Sequence, residues 1–282
     1  DGGAAVAFLS GEAGPIDSFS FNANNNGTSI IDPTKASLTI DGQVVTLVYT
    51  NVDAVTTFTY KPAAPFPAGS KHTYSIVVRD TANNVINATG TFTTPTYALL
   101  TDADKVTPDT SKPAFFVRIH QNNAFTATDN VRPVLQLAGL LGVNLADPAA
   151  QGPAIAPGVP EGSTNLPIDF EIETVINLDQ AAGASGEFTP DDQIPGIPGL
   201  GAAGQTDGIV AEITTYLDLT AGRHTLIVNS DDGFRTTAGN INDIFRAQVA
   251  GQWGGGRVFS DTAYDVVVQT AGVYPFRTIW YE

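Results

Sequence analysis

Apolar and polar residues alternate along most of this chain, and turn signals interrupt the alternation at short intervals. That is the period-two pattern of half-buried strands. "SLTI-DG-QVVTLVY" reads as a hairpin about Asp41–Gly42, because Asp-Gly readily takes the positive φ angles of a tight turn. "TTFTYKP" predicts a further strand, and "PAAPFPAG" a connection too rich in proline for a central strand. "KHTYSIVVRD-TANN-VINATGTFTT" predicts a second hairpin with Tyr74, Ile76 and Val78 on one face. In "PAFFVRIHQ", Phe115, Val117 and Ile119 point one way, while Phe116, Arg118 and His120 share the other face. Helical spacing occurs in "TDNVRPVLQLAGLLG". There Thr128 or Asp129 caps, Pro133 sits in the first turn, Val134, Leu137, Leu140 and Leu141 form the apolar face, and Gly142 ends the helix. Residues 144–205 are rich in Gly, Pro and Ala around one strand-like island, "LPIDFEIETVINL". Loops this long ordinarily serve a function or wrap another surface. The predicted fold class is all-β with one short helix.

The two ends raise a question of pairing. "AGVYPFRTIWYE" at the end reads as a buried strand with no turn after it, and "DGGAAVAFLS" at the start as a strand with no nearby partner. Joined end to start they would make a hairpin on Asp1-Gly2-Gly3. Ala5, Ala7 and Leu9 face one way and Ala4, Val6 and Phe8 the other, so the opening strand is apolar on both faces, as a central strand is.

Two resemblances bear on that question. "SLTIDGQVV", "FTYKPAAPFPAGSKHTYSIVVRD" and the closing "GTFTT" resemble bacterial immunoglobulin-like repeats, which implies a small sandwich serving as a spacer or as a block of a polymer or adhesin. "LTAGRHTLIVNSDDGFRTTAG", followed by "VVVQTAGVYPFRTIWYE", resembles the protective-antigen-type β-sandwich domain over residues 206–282. That family implies one more apolar strand after the "YPFRTIWYE" strand, and the chain carries a fitting one at its beginning. The expected organisation is a donated or permuted strand at residues 1–14, an immunoglobulin-like domain at 15–95, and the larger sandwich at 96–282. "PTYALLTDADKVTPDTSKP" would link the two domains. In one reading Val6, Phe8 and Leu9 enter another copy at an acceptor edge made by Tyr274, Phe276, Ile279 and Trp280. That heterologous contact would build a head-to-tail homopolymer, a filament or surface array. In the others the strand folds back within its own chain, or the sequence is one period of a tandem array.

Composition narrows the setting. Thirteen basic against 29 acidic residues give a net charge of −16, which repels the phosphates of nucleic acid. Without cysteine there is neither a disulfide framework nor a thiolate metal site. No apolar run is long enough to span a bilayer. The chain lacks methionine, the initiator included, and reads as a processed product or a piece of something longer. Charged residues are only 15% of the total, a balance that suits an extracellular or cell-surface protein.

Candidate chemistry concentrates in "NSDDGF". In calcium-dependent lectins of the protective-antigen type, two consecutive aspartates at this position bind the metal, and the resemblance carries that role onto Asp231 and Asp232. Asn229, Asn240, Asn242 and Asp243 are further oxygen donors, since calcium takes several. The alternative is a turn whose aspartates cap backbone N–H groups. "GQWGGGR" offers Trp253 and Arg257 as glycan contacts, or Trp253 as a plug at the end of the sandwich. Asp102, Asp104, Asp109, Asp191, Asp192 and Asp207 read as solvated. Glu171 and Glu173 share a strand face, and His72, His120 and His224 are scattered, so no catalytic residues are assigned. Asn26 and Asn87 lie in glycosylation sequons. Two function classes follow: a structural subunit that polymerises by strand donation, and a calcium-dependent carbohydrate-binding or adhesin module of a larger secreted protein.

Overall fold

The computed structural model describes residues 6–111, 114–122, 124, 127–149, 164–180, 191–197, 207–240 and 246–282. It is all-β apart from a short α-helix and a 3₁₀ turn, and it divides into two compact units, Asp1–Tyr97 and Ala98–Glu282.

The first unit is a sandwich of two four-stranded sheets. Its strands are β1 Phe8–Ala13, β2 Phe19–Asn24, β3 Ile31–Ile40, β4 Gln43–Val45, β5 Val48–Val52, β6 Val55–Tyr60, β7 Lys71–Asp80 and β8 Val85–Thr93. One sheet runs β1-β2-β6-β5 and the other β4-β3-β7-β8. The β3–β4 hairpin turns on Asp41 and Gly42, both at positive φ (48° and 79°), as the Asp-Gly pair demands. Alternation then fills the core: Phe19, Phe21, Phe58, Leu38, Ile76 and Val78 are fully buried, and Phe21 stacks on Phe58 at 5.0 Å between centroids. Each such side chain contributes about 2–3 kcal/mol by leaving water.

The opening strand does not complete the second sandwich. β1 pairs antiparallel with β2, Phe8 opposite Asn24 and Leu9 opposite Ala23. Ala7 is buried in the first core and Leu9 packs against it, while Val6 and Phe8 are about half exposed, at 53% and 51%. Apolarity on both faces therefore marks an edge strand with one face in the core and the other in solvent.

The second unit comprises β9 Ala98–Leu100, β10 Phe115–Gln121, α1 Arg132–Leu137, β11 Ile168–Ile172, β12 Leu178–Asp179, β13 Asp192–Gln193, β14 Ile209–Leu219, β15 Gly222–Ser230, β16 Gly233–Ala238, β17 Gln248–Trp253, β18 Ser260–Val268 and β19 Gly272–Tyr281. A six-stranded sheet, β11-β10-β14-β19-β16-β17, and a three-stranded sheet, β15-β18-β9, make up its body; β12 and β13 pair separately. β19 is central, paired along its length with β14 on one side and from Phe276 to Tyr281 with β16 on the other, where the N–H groups of Val106 and Gly239 donate to the carbonyls of Val273 and Pro275. Tyr274, Phe276 and Ile279 are buried in the unit's own cores. The expected acceptor edge is thus corrected: both sides of β19 already have partners, so its backbone groups have none to offer a donated strand.

Two further expectations are revised. The stretch taken as a linker contains β9, which runs parallel to β18 and buries Ala98 and Leu100 in the second unit. The helix starts later than expected, its N-cap being Val131 without a side-chain cap; the Asp129 carboxylate, two residues ahead, accepts the N–H groups of Val131 (2.8 Å) and Arg132 (3.1 Å). The helix stops at Leu137, because Gly139 takes φ +75°, and Leu140 is left 69% exposed.

Arg118 on β10, Glu212 on β14 and Arg277 on β19 form an ion network across three neighbouring strands. Glu212 is 5% exposed and accepts Arg118 Nη1 at 3.0 Å as well as Arg277 Nε. Glu212→Ala leaves two guanidinium groups side by side without their shared carboxylate. We expect about 2 kcal/mol of lost stability, read by urea denaturation, with most of it restored when Arg277 is changed to Leu in the same chain.

Candidate functional site

A cavity of about 420 Å³ opens in the second unit. Ala211 and Ile213 on β14, Thr278 and Trp280 on β19 and Phe115 on β10 form one wall. Ile227 to Ser230 at the end of β15, with Asp231 and Phe259, form the other. Asn177, Asp179, Gln180 and Asp191 close the side between them. No lysine or arginine is among these lining residues. Apolar residues stand at the mouth as well: Ile227 is 60% exposed and Phe259 49%.

The turn that borders the cavity is held in place by Arg257. Its Nε donates to Ser230 O (3.1 Å), Nη2 to Ser230 Oγ (2.8 Å) and Nη1 to Thr262 Oγ1 (2.8 Å). Its backbone N–H donates to Asp232 Oδ1 (3.2 Å), and its carbonyl accepts the N–H of Asp232 (3.0 Å). Asp232 sits at φ +44°, a conformation Asp tolerates and Gly233 follows. The guanidinium lies 5.0 Å from the Trp253 ring centroid, a cation–π arrangement. Arg257 thus spends its donors on the turn, and Trp253, 43% exposed, has the guanidinium over its ring. Trp280, read from sequence as an assembly residue, lines the cavity and donates its indole N–H to Asp231 O at 2.9 Å.

Negative charge accumulates here. Loss of surrounding water, then the charges of Asp232 and Asp179, hold the Asp231 carboxyl above its usual range. Glu282, at the end of β19, is pushed up to about 7 by burial and by Asp231, Asp232 and Asp207, with Gln180 opposing. Its Oε2 is buried with no hydrogen-bond partner among the described residues. Local sequence singled out Asp231 and Asp232; Asp179 and Glu282 reach the same place through the tertiary fold, and no spacing in the chain signals it.

These residues fall short of a calcium site made by side chains alone. Among the described residues no three His, Asp or Glu side chains converge on a metal position, and one oxygen of Asp232 is turned to the Arg257 amide. Asn242 and Asp243 lie outside the described residues. Asn229 donates instead to Asp261 across β15 and β18 (2.8 Å).

The first unit holds an arrangement that resembles a catalytic relay. Asp41 Oδ2 lies 2.6 Å from His72 Nδ1, and His72 Nε2 lies 2.6 Å from Ser70 Oγ. Geometry argues against nucleophilic chemistry. The Ser70 hydroxyl donates to Pro67 O, the Ser70 amide donates to Thr94 Oγ1, and His72 is packed between Phe66 and Phe92. The hydroxyl proton already has an acceptor, and the amide that would stabilise an oxyanion is occupied. The network instead ties the Asp41 turn to the start of β7, and its hydrogen bond from His72 holds the Asp41 carboxyl below the usual range.

No protein-family model matches the chain, and no curated protein does. Solved structures with similarity to it include CopC from Methylosinus trichosporium OB3b, at 16% identity over 32% of this chain and 94% of that one, with a TM-score of 0.24. An anti-sigma factor domain-containing protein is 10% identical over 98% of this chain and 81% of its own, with a TM-score of 0.32. A carbohydrate-binding module of the β-sandwich superfamily is 11% identical over 98% and 90%, with a TM-score of 0.24.

Proposed function

We propose that the second unit is a binding module for neutral, polyhydroxylated ligands, carbohydrates in the first place, within an extracellular protein. The observation that carries this reading is the make-up of the cavity wall: aromatic faces at Trp280, Phe259 and Phe115 beside amides and carboxylates at Asn177, Gln180, Asp179 and Asp231, with no cation among them. Sugars offer apolar ring faces to aromatics and hydroxyls to carboxylate and amide groups. Phosphorylated, sulfated or carboxylated ligands would meet only negative charge, at a cost no lining group offsets. The extracellular setting is supported by the low share of charged residues, 15%. No helix of the described residues is long and apolar enough to cross a membrane.

The test is calorimetry or a glycan array with soluble neutral oligosaccharides. Asp179→Asn and Asp231→Asn should each weaken binding by roughly tenfold, the loss of one charge-assisted hydrogen bond. Binding to anionic glycans alone, or binding unchanged in both variants, would overturn the reading.

A second reading, a divalent cation at Asp231, rests on the mutual repulsion of Asp231, Asp232 and Glu282, which a cation would relieve. Asp231 would hold it with backbone oxygens and water completing the shell, since side chains alone do not. Glycan affinity abolished by chelator and restored by calcium favours this form; affinity indifferent to chelator favours the cavity acting alone.

A further inference from the structure

The first sheet of the first unit ends on an unprotected edge. Every residue of β5, Val48-Tyr49-Thr50-Asn51-Val52, is exposed, with Val48 at 61% and Val52 at 68%. Natural edge strands are normally blunted by charge, proline, a bulge or a covering segment. Of the other three edges, β1 carries a bulge between Ser10 and Ala13 and a glutamate, β4 is three residues long, and β8 is met near its end by Gly14, which lies over Phe92. β5 has no charge, no proline and no bulge.

Its hydrogen-bonding phase is fixed by the hairpin that follows. The loop between β5 and β6 is the two-residue Asp53–Ala54, with Asp53 at φ +52° and Val52 opposite Val55. A two-residue loop makes Val52 and Val55 a hydrogen-bonded pair, and alternation then assigns Thr50 and Val48 to β6 as well. Tyr49 and Asn51 therefore send their N–H and C=O groups to the open side.

We propose that β5 pairs antiparallel with β5 of a second copy of this chain, about a two-fold axis at Thr50. The phase fits a copy of itself. Tyr49 and Asn51 meet Asn51 and Tyr49 of the other strand as hydrogen-bonded pairs, giving four backbone bonds. Thr50 faces its own counterpart as a non-hydrogen-bonded pair. Val48 stands opposite Val52 of the other copy on the outer face, where exposed valines gain most from a cross-strand neighbour. Charge permits the contact: residues 1–97 carry four basic and seven acidic side chains, whereas most of the chain's negative charge lies in the second unit. The contact is isologous, so it closes as a dimer and builds no filament.

The chain has no cysteine, which gives a clean readout in the full-length protein. Under mild oxidation Thr50→Cys should convert mostly to a disulfide-linked dimer, because directly opposed non-hydrogen-bonded positions have Cα atoms roughly 4.5 Å apart. Val48→Cys, equally exposed, should cross-link at least about tenfold less, since its two copies would lie roughly 13 Å apart along the paired strands. Sedimentation of the unmodified chain should show a reversible monomer–dimer equilibrium, and Thr50→Lys, which opposes like charges across the axis, should weaken it at least about tenfold. Equal or absent cross-linking at both positions would overturn the pairing. So would sedimentation insensitive to Thr50→Lys, or assembly beyond a dimer.

Discussion

Gly233→Ala should destabilise the second unit by about 3 kcal/mol or more, the upper end of what a core clash costs. Gly233 on β16 stands directly opposite Tyr281 on β19, and the tyrosine ring lies across the space where a side chain would begin. A Cβ there would overlap Oη and Cζ of that ring. The ring has nowhere to go: Tyr281 is fully buried among Val210, Ile279, Ala127 and Leu137, and its Oη accepts the N–H of Gly255 at 2.8 Å. Backbone strain plays no part, since Gly233 is not among the glycines at positive φ. Gly42, in the first unit, supplies the contrast, with open space around a Cβ but φ +79°, so Gly42→Ala should cost only about 1 kcal/mol, read by circular dichroism because that unit has no tryptophan. Both tryptophans, Trp253 and Trp280, belong to the second unit, so their fluorescence under urea reads that unit alone. A loss under about 1 kcal/mol for Gly233→Ala would show that Tyr281 is free to move. Tyr281 also braces the loop that carries Arg257, so the same variant should weaken ligand binding in molecules that remain folded.

What the sequence disclosed was local, and what it hid was partnership. The Asp41–Gly42 hairpin, the Tyr74-Ile76-Val78 face and the Val117 and Ile119 core positions follow from turn chemistry and period two, which neighbours in the chain determine. Which strand lies beside which is set by contacts distant in sequence. β19 looked unpartnered because its neighbour β14 starts more than sixty residues earlier in the chain and β16 is separated from it by two strands. The opening strand looked like its missing partner because alternation cannot tell a central strand from an edge strand with exposed Val6 and Phe8. The resemblance to protective-antigen-type domains strengthened that inference by supplying an absent strand. The acidic turn followed the same rule: "NSDDGF" stood out by composition, while Glu282, Asp179 and Arg257 reach it only through the fold. A charge cluster assembled from four separate segments has no spacing to recognise.

Replacing Glu282 by Gln should reveal a pH dependence that the unmodified chain largely conceals. His120 on β10 is fully buried, its Nε2 3.2 Å from Asn165 O, and burial drives its ring down from 6.5 to about 4, with the carbonyls of Asn165 and Gly142 opposing. A histidine with a depressed folded-state value contributes stability that is complete above pH 6.5 and is lost as pH falls toward 4, because only the unfolded chain takes up the proton. The shift corresponds to about 3 kcal/mol. Glu282 acts in the opposite direction over nearly the same window. Its folded-state value is raised from 4.5 to about 7, so its contribution is complete below 4.5 and is lost as pH rises through 7. The two slopes oppose each other, with His120 the stronger because Glu282 keeps partial contact with water. Between pH 7 and 4.5 the unmodified second unit should therefore lose little stability, whereas Glu282→Gln should lose about 3 kcal/mol on reaching pH 4. The aspartates held low by hydrogen bonds, Asp129 in this unit among them, titrate below that window, while Asp231, held above its usual range, adds a contribution of the same sign as Glu282. Tryptophan-detected urea melts at half-unit pH steps would show it. If Glu282→Gln and the unmodified chain follow parallel curves, the buried carboxyl does not carry the raised pKa; if both fall steeply, it fails to counter His120.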